Sequence, residues 1–149
     1  MVDDEFYYGE LNKLALSSSS LKLLLSSPKT YKYVTKYGNP ETQPLRDGRL
    51  VHQAILEPQK FSEQIFVNVS SKNTKTYKEA REKYGEVYTR VEKENAEKIA
   101  DAFFKNEHAL KYITDCEFEV SQIGIVQGFP FRGKADVLRK DGITDIKTT

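Results

Sequence analysis

The sequence predicts an α+β domain that occupies residues 1–149, with helices first and a short, mostly antiparallel sheet at the end. Apolar residues recur at helical spacing through the first two thirds of the chain, between serine, proline and glycine boundaries. The last third changes to alternating patterns that indicate three strands, at about Glu117–Val126, Phe131–Leu138 and Ile143–Thr148. Turn signals at Gly128 and at Lys140-Asp141-Gly142 separate these strands, which favours a meander.

The helical part begins at the serine run before Leu21, where Ser18 or Ser19 is the expected cap. Ser27-Pro28 restarts the chain as a second helix, which should end at Gly38. Further helices are expected at about Leu45–Glu57, Tyr77–Tyr84 and Val91–Glu107, with a short apolar strand at the end of Phe61–Val69.

Composition excludes several classes of protein. Hydrophobic residues make up 38% of the chain and charged residues 30%, and no apolar stretch approaches the roughly 18 residues that a membrane span needs. The acidic opening differs from the basic and apolar start of a signal peptide. Cys116 is the single cysteine, which excludes an intrachain disulfide and a four-cysteine metal site. We therefore expect a cytoplasmic protein without a membrane partner.

The formal net charge is +1, so any contact with nucleic acid must come from local basic patches. Lys29, Lys32 and Lys36 form one such stripe on the second helix. A second group of basic residues around Lys78 is diluted by Glu79 and Glu82, as on many ordinary solvated surfaces. We expect most of the nine tyrosines to lie at the edge of the core rather than to stack on bases.

Asp136, Asp145 and Lys147 lie on adjoining strands of the predicted sheet. Side chains alternate along a strand, so Asp145 and Lys147 should share a face, while Ile146 points into the core and leaves its carbonyl beside them. Two carboxylates, a carbonyl and a lysine could hold a hard divalent cation and a water. From spacing alone, however, a solvated strand face with an ordinary salt bridge is the more common arrangement.

Three separated motifs occur in order along the chain: the opening LSSSSLKLLLSSPKTY, the helix with Gly48 and His52, and the paired strings Gly133-Lys134-Ala135-Asp136 and Asp145-Ile146-Lys147-Thr148-Thr149. Together they resemble the PD-(D/E)XK nuclease superfamily, within it the RecE (exonuclease VIII)-like and RecB-like phage exonuclease branch. The resemblance implies a restriction-endonuclease-like core. It also implies a helix and a closing strand after the last motif, and the sequence stops at Thr149 without them. We therefore expect a truncated chain, or a missing half supplied by another polypeptide.

The resemblance also assigns roles to individual residues. Asp136 and Asp145 would bind Mg²⁺ or Mn²⁺, helped by the carbonyl of Ile146, and His52 would complete the metal site. Lys147 would orient or activate the attacking water and offset charge in the transition state. The alternative for His52 is an ordinary helix histidine bonded to a carbonyl. Glu117 and Glu119 share a strand face and could approach the metal, but we expect them to be ordinary polar-face residues.

The function implied by the resemblance is a metal-dependent 5′→3′ exonuclease on double-stranded DNA that serves phage or prophage recombination. Such enzymes are typically homo-oligomers that act with a single-strand-annealing recombinase. Two alternatives stay open on the sequence. One is an endonuclease of the same superfamily, and the other is a truncated, non-catalytic module for DNA binding or assembly.

Overall fold

A computed structural model describes residues 3–147, and these belong to two units. The first unit contains the described parts of residues 1–41 and 116–145, and the second contains residues 42–115 and the described part of 146–149. The helices are α1 (Asp4–Tyr8), α2 (Glu10–Leu14), α3 (Ser18–Ser26), α4 (Pro28–Tyr37), α5 (Gln43–Leu56), α6 (Pro58–Glu63), α7 (Lys75–Tyr84), α8 (Arg90–Phe104) and α9 (Glu107–Leu110). The strands are β1 (Phe66–Val67), β2 (Tyr88–Thr89), β3 (Glu117–Val126), β4 (Phe129–Arg139) and β5 (Gly142–Thr144). The mixed architecture confirms the predicted α+β class, and the single domain over residues 1–149 stays a prediction.

The first unit opens with helices whose ends follow local sequence signals. Ser17, rather than Ser18 or Ser19, caps α3, because its hydroxyl accepts from the Ser20 amide while the Ser20 side chain accepts from the Ser17 amide. Ser27 caps α4 in the predicted way, and Gly38 ends that helix at φ 82°, a conformation that favours glycine.

The sheet of the first unit is antiparallel, in the order β3-β4-β5. Gln127 and Gly128 both have positive φ and form a two-residue turn between the paired residues Val126 and Phe129. This is the geometry of a type I′ hairpin, whose twist matches that of the flanking strands. The predicted bounds of β3 are confirmed, whereas β4 begins two residues earlier than expected.

The third predicted strand is wrong beyond Thr144. Its last pair is Thr144 with Val137, and residues 145–147 are not in a strand. Further along β4 the same edge is already used, because the Leu16 amide donates to the Pro130 carbonyl and the Leu16 carbonyl accepts from the Arg132 amide. Thr148 and Thr149 lie outside the described residues.

The core of the first unit contains apolar side chains and one buried cation. Tyr7, Leu11 and Ala15 pack together, and Val137 on β4 is fully buried. The Arg132 guanidinium donates to the Tyr7 carbonyl at 2.7 Å and lies over the Tyr7 ring. Burying a cation is costly unless polar groups hold it, so this contact fixes the first helices to one position on β4.

In the second unit, α5 packs against α8, and the short strands β1 and β2 pair in parallel. The apolar face of α5 includes Leu50, Val51 and Ile55, all buried. The helices predicted at residues 45–57 and 77–84 are confirmed to within two residues. The helix predicted at Val91–Glu107 ends at Phe104, because the Asn106 side chain accepts amide hydrogen bonds that begin α9. Among residues 3–147 we find no helix with the length and apolar character that crossing a bilayer requires.

Candidate active site

Asp136 lies in β4 and is half-buried, directly across the strand pair from Glu119 in β3. The pairs Phe118 with Val137 and Val120 with Ala135 bracket this position and fix the register. A carboxylate oxygen of Glu119 lies within 4.8 Å of one of Asp136. Like charges so close repel, and such an arrangement is typical of sites that receive a cation.

The backbone of Glu119 is strained. Its φ is 53°, in the left-handed region that residues other than glycine seldom adopt, and it lies inside a strand. A conformation of this kind costs about 1–3 kcal/mol and persists only where the surroundings enforce it, most often at functional positions. The strand pairs on either side of Glu119 place it opposite Asp136, a position that a metal ligand as well as an ordinary polar-face residue can occupy.

Lys134 forms ion pairs with Glu119 and with Asp4. The Lys134 ammonium lies 2.9 Å from a Glu119 carboxylate oxygen and 2.7 Å from an Asp4 carboxylate oxygen. Burial disfavours its charged form, but the hydrogen bonds to Asp4 and Glu119 outweigh burial and raise the pKa of Lys134. Lys134 therefore stays protonated and holds Glu119 in a fixed orientation.

Counted on from the last pair of β4 and β5, Asp145 has the position across from Asp136. It follows Thr144, and Thr144 is paired with Val137, so both aspartates are the next residues beyond the last pair of β4 and β5. Asp145 is exposed, in contrast to the half-buried Asp136. The pairing of β4 with β5 stops one residue before both aspartates, and their joint role as metal ligands stays a prediction.

His52 and Ile146, both in the second unit, are joined by a hydrogen bond. The His52 Nε2 atom lies 2.7 Å from the Ile146 carbonyl oxygen, and because a carbonyl can only accept, the ring donates from Nε2. The contact matches the alternative interpretation of His52 as a histidine bonded to a carbonyl. That carbonyl is also the one that the motif assigns to metal binding, so the bond links two predicted site residues.

Lys147 is exposed, and Ile146 is half-buried. Neither residue lies in a strand, so the alternation predicted for Asp145, Ile146 and Lys147 does not apply to them. The roles of His52, Ile146 and Lys147 stay predictions.

The donor set of the first unit fits a hard divalent cation. Glu119 and Asp136 supply carboxylate oxygens within 4.8 Å of each other, and oxygen ligands are those that Mg²⁺ and Mn²⁺ prefer; within residues 3–147 Asp145 does not belong to this close group. The observation that favours this fit is the close approach of the Glu119 and Asp136 carboxylates. The ion pair of Lys134 with Glu119 shows that a positive charge is already held beside one of these two carboxylates.

Comparison with known proteins places the chain in a family. Residues 17–149 match the family described as "PDDEXK-like domain of unknown function (DUF3799)". A search of curated proteins gave no match. Among solved structures, the chain is similar to a "putative exonuclease" from Eubacterium rectale, with a TM-score of 0.66 and 18% sequence identity.

That similarity covers 94% of this chain and 51% of the other, so the chain spans about half the length of the solved structure that it matches. At 18% identity the likeness shows the fold, which is the restriction-endonuclease-like one expected from the sequence motifs. The family match covers most of the chain and includes every residue of the predicted site. The chain belongs to the PDDEXK-like family DUF3799, within the PD-(D/E)XK superfamily, and the family supports a nuclease-type function.

Proposed function

We propose that this chain is a metal-dependent DNA nuclease, and more specifically an exonuclease that degrades double-stranded DNA in the 5′→3′ direction. The observation that carries the proposal is the pair of carboxylates of Glu119 and Asp136, within 4.8 Å of each other on paired strands. The family match and the order of the sequence motifs support the same chemistry. Polarity and substrate end come from the resemblance to RecE-like exonucleases.

In this proposal Glu119, Asp136 and Asp145 hold Mg²⁺ or Mn²⁺ through carboxylate oxygens, with the carbonyl of Ile146 and the ring of His52 as the further ligands that the motif assigns. When bound, the cation supplies Lewis-acid stabilisation of the charge that develops on the phosphate oxygens. Glu119 enters this set from the structure, because its position opposite Asp136 is a matter of strand register.

Lys147 contributes a positive charge to the reaction. Its ammonium would orient the attacking water and offset negative charge that builds up on the phosphate in the transition state. A charge placed in advance needs no rearrangement during the reaction, so its effect falls on the rate rather than on DNA affinity. Lys134 has a different part, since it holds Glu119 through an ion pair in the first unit.

The resemblance extends to a biological setting. It suggests a homo-oligomer that works in phage or prophage recombination, beside a single-strand-annealing recombinase and without a membrane partner. An endonuclease of the same superfamily and a non-catalytic DNA-binding module are the competing functions.

One digestion experiment separates these functions. Linear and covalently closed circular duplexes are incubated with the protein and Mg²⁺ or Mn²⁺, with chelator as the blank and with label at either the 5′ or the 3′ end. The proposal predicts metal-dependent loss of linear DNA from its 5′ ends and no cutting of circles. Cutting of circles would establish the endonuclease, and binding without any cleavage would establish the module.

A matched pair of variants tests whether cleavage depends on Lys147. Lys147→Ala should lose cleavage and keep DNA binding, whereas Lys140→Ala, an exposed lysine in the turn between β4 and β5, should keep both. If Lys147→Ala degrades linear DNA at the wild-type rate, the catalytic assignment of Lys147 is wrong.

A further inference from the structure

Residues 11–40 contain five lysines and no aspartate or glutamate. The whole chain carries a formal charge of only +1, so this segment is strongly basic and the rest of the chain is net acidic. Such segregation creates a local positive potential that the overall composition conceals. None of the carboxylates assigned to the candidate active site lies in this segment.

Within the segment, α4 presents its basic residues on a single face. At 3.6 residues per turn, Lys29, Lys32 and Lys36 fall on one side of the helix together with Tyr33 and Tyr37. All five of these side chains are exposed. Tyr31 and Val34 lie on the other side and are half-buried, so the basic face points away from the apolar contacts of the helix.

Two aromatic rings form part of this basic face. Tyr33 and Tyr37 are 59% and 65% exposed, and their ring centroids are 4.9 Å apart. The Lys36 ammonium lies 4.9 Å from the centroid of the Tyr37 ring. These two residues are exceptions to the expectation that most of the nine tyrosines lie at the edge of the core.

The charges of the face are not neutralised within the described chain. Across residues 3–147, Lys29, Lys32 and Lys36 form no ion pair with a carboxylate. The lysines of other surfaces differ: Lys75 pairs with Glu79 and Lys93 with Glu97, each one turn away. The lysines of α4 are therefore open to an anionic partner.

We propose that this face of α4, formed by Lys29, Lys32, Tyr33, Lys36 and Tyr37, binds single-stranded nucleic acid. Lysines attract the phosphates without regard to sequence, and exposed aromatic rings stack on unpaired bases. A duplex keeps its bases stacked inside and offers only phosphates to such a surface, which is the reason for preferring the single strand. Tyr33 and Tyr37 are one turn apart, about 6 Å along the axis, so their rings form one continuous edge for bases.

Helix α7, which carries charges of both signs, offers a matched control. There the Lys83 ammonium lies 4.7 Å from the centroid of the exposed Tyr84 ring, the same kind of contact as between Lys36 and Tyr37. Glu79 and Glu82 share that helix and reduce its positive potential. Tyr84 therefore tests whether an exposed tyrosine beside a lysine is sufficient for binding.

The test measures fluorescence anisotropy of a labelled oligothymidylate with the full chain, in chelator so that no cleavage contributes. Tyr33→Ala combined with Tyr37→Ala should weaken binding by at least about 5-fold, the lower limit for losing one stacked base. Tyr84→Ala should bind as the wild type does. Replacing Lys29, Lys32 and Lys36 by glutamine should reduce the slope of log affinity against log salt by about 2, since each single-strand phosphate contact contributes about 0.7.

Three outcomes would overturn the proposal. The first is unchanged oligothymidylate binding by the double tyrosine variant, and the second is equal affinity for a duplex of the same length. The third is binding to vesicles of anionic lipid but not to oligothymidylate, which would assign the surface to membranes. Circular dichroism of each variant checks folding, which should be unaffected because all substituted side chains are exposed.

The proposal does not depend on nuclease activity. If the protein binds oligothymidylate through α4 but cleaves no DNA with Mn²⁺, the proposed nuclease function is refuted and the proposed binding by α4 is supported. If it cleaves linear DNA and the α4 variants bind oligothymidylate normally, the proposed binding by α4 is refuted and the proposed nuclease function is supported.

Discussion

Glu92→Gln should destabilise the second unit strongly, because Glu92 is a buried carboxylate surrounded by donors. One of its oxygens accepts from Gln43 and from the Lys72 ammonium, both at 2.9 Å, and from Arg46 at 3.2 Å. The other oxygen accepts from the amide of Thr89 at 2.8 Å and from its hydroxyl at 3.0 Å. A glutamine amide group in this position would point its own hydrogens at one of these sets of donors.

The expected magnitude follows from the carboxyl group's pKa. Burial alone would raise it, but the hydrogen bonds from Gln43 and Thr89 and the Lys72 ammonium lower the pKa of Glu92 from 4.5 to about 2. At 1.36 kcal/mol per pH unit, the difference corresponds to about 3 kcal/mol of folding free energy. Because the folded-state pKa is the lower one, this contribution is present above about pH 4.5 and is lost as the pH falls towards 2.

The assay is urea denaturation followed by circular dichroism at a series of pH values. At pH 7, Glu92→Gln should lower the free energy of unfolding by about 3 kcal/mol, and the gap to wild type should close as the pH falls from 5 to 2. Glu94→Gln, on an exposed ion pair with Arg90 in the same helix, should change it by less than about 0.5 kcal/mol. A loss under about 1 kcal/mol at pH 7, or a gap that does not depend on pH, would refute the reasoning.

Three further changes test other parts of the molecule. Asp145→Asn should weaken Mn²⁺ binding in calorimetry by about 10-fold or more and leave the unfolding midpoint unchanged, because Asp145 is an exposed carboxylate; equal affinity would remove it from the metal site. His52→Ala should lose metal-dependent cleavage and about 1 kcal/mol of stability, the value of its hydrogen bond to Ile146; a large fall in melting temperature with full activity per folded molecule would instead make it structural. Gln127→Asn should raise the free energy of unfolding by up to about 1 kcal/mol, since asparagine tolerates positive φ before Gly128; a loss of stability would contradict the assigned turn.

Local signals in the sequence predicted the longer helices, whereas the short helices α1, α2, α6 and α9 were not predicted. A helix end depends on groups within a few residues of it, such as the Ser27 hydroxyl, the fixed φ of Pro28 and the positive φ of Gly38. The same locality explains the error at the start of α3. Any serine of the run Ser17–Ser20 can cap a helix, and the choice of Ser17 depends on its reciprocal bonds with Ser20.

Glu119 shows where local reasoning stops. The sequence places Glu117 and Glu119 on one face of a strand, but only the register decides which of them lies opposite Asp136. A two-residue turn centred on Gln127 and Gly128 would have given that register by counting back along both strands. The positive φ of Glu119 could not be predicted, because glutamate is not a residue type that marks this conformation.

The end of the third strand was predicted too late. Alternation in the sequence predicted a strand to Thr148, but the last pair with β4 is Thr144 with Val137, and alternation does not show how far a neighbouring strand pairs. That the two aspartates of the motif lie together as metal ligands stays a prediction. Their proximity requires only the tight turn at Lys140 and Asp141, which is a local signal.

The most direct test of the account is the rate at which linear duplex DNA is degraded with Mn²⁺ by Asp136→Asn and by Asp141→Asn. Asp136 is half-buried beside Glu119, whereas Asp141 is exposed in the turn and pairs with Arg139. The account predicts that wild type and Asp141→Asn degrade the duplex alike and that Asp136→Asn, still folded, is slower by about 100-fold or more. Degradation by Asp136→Asn at the wild-type rate would contradict it.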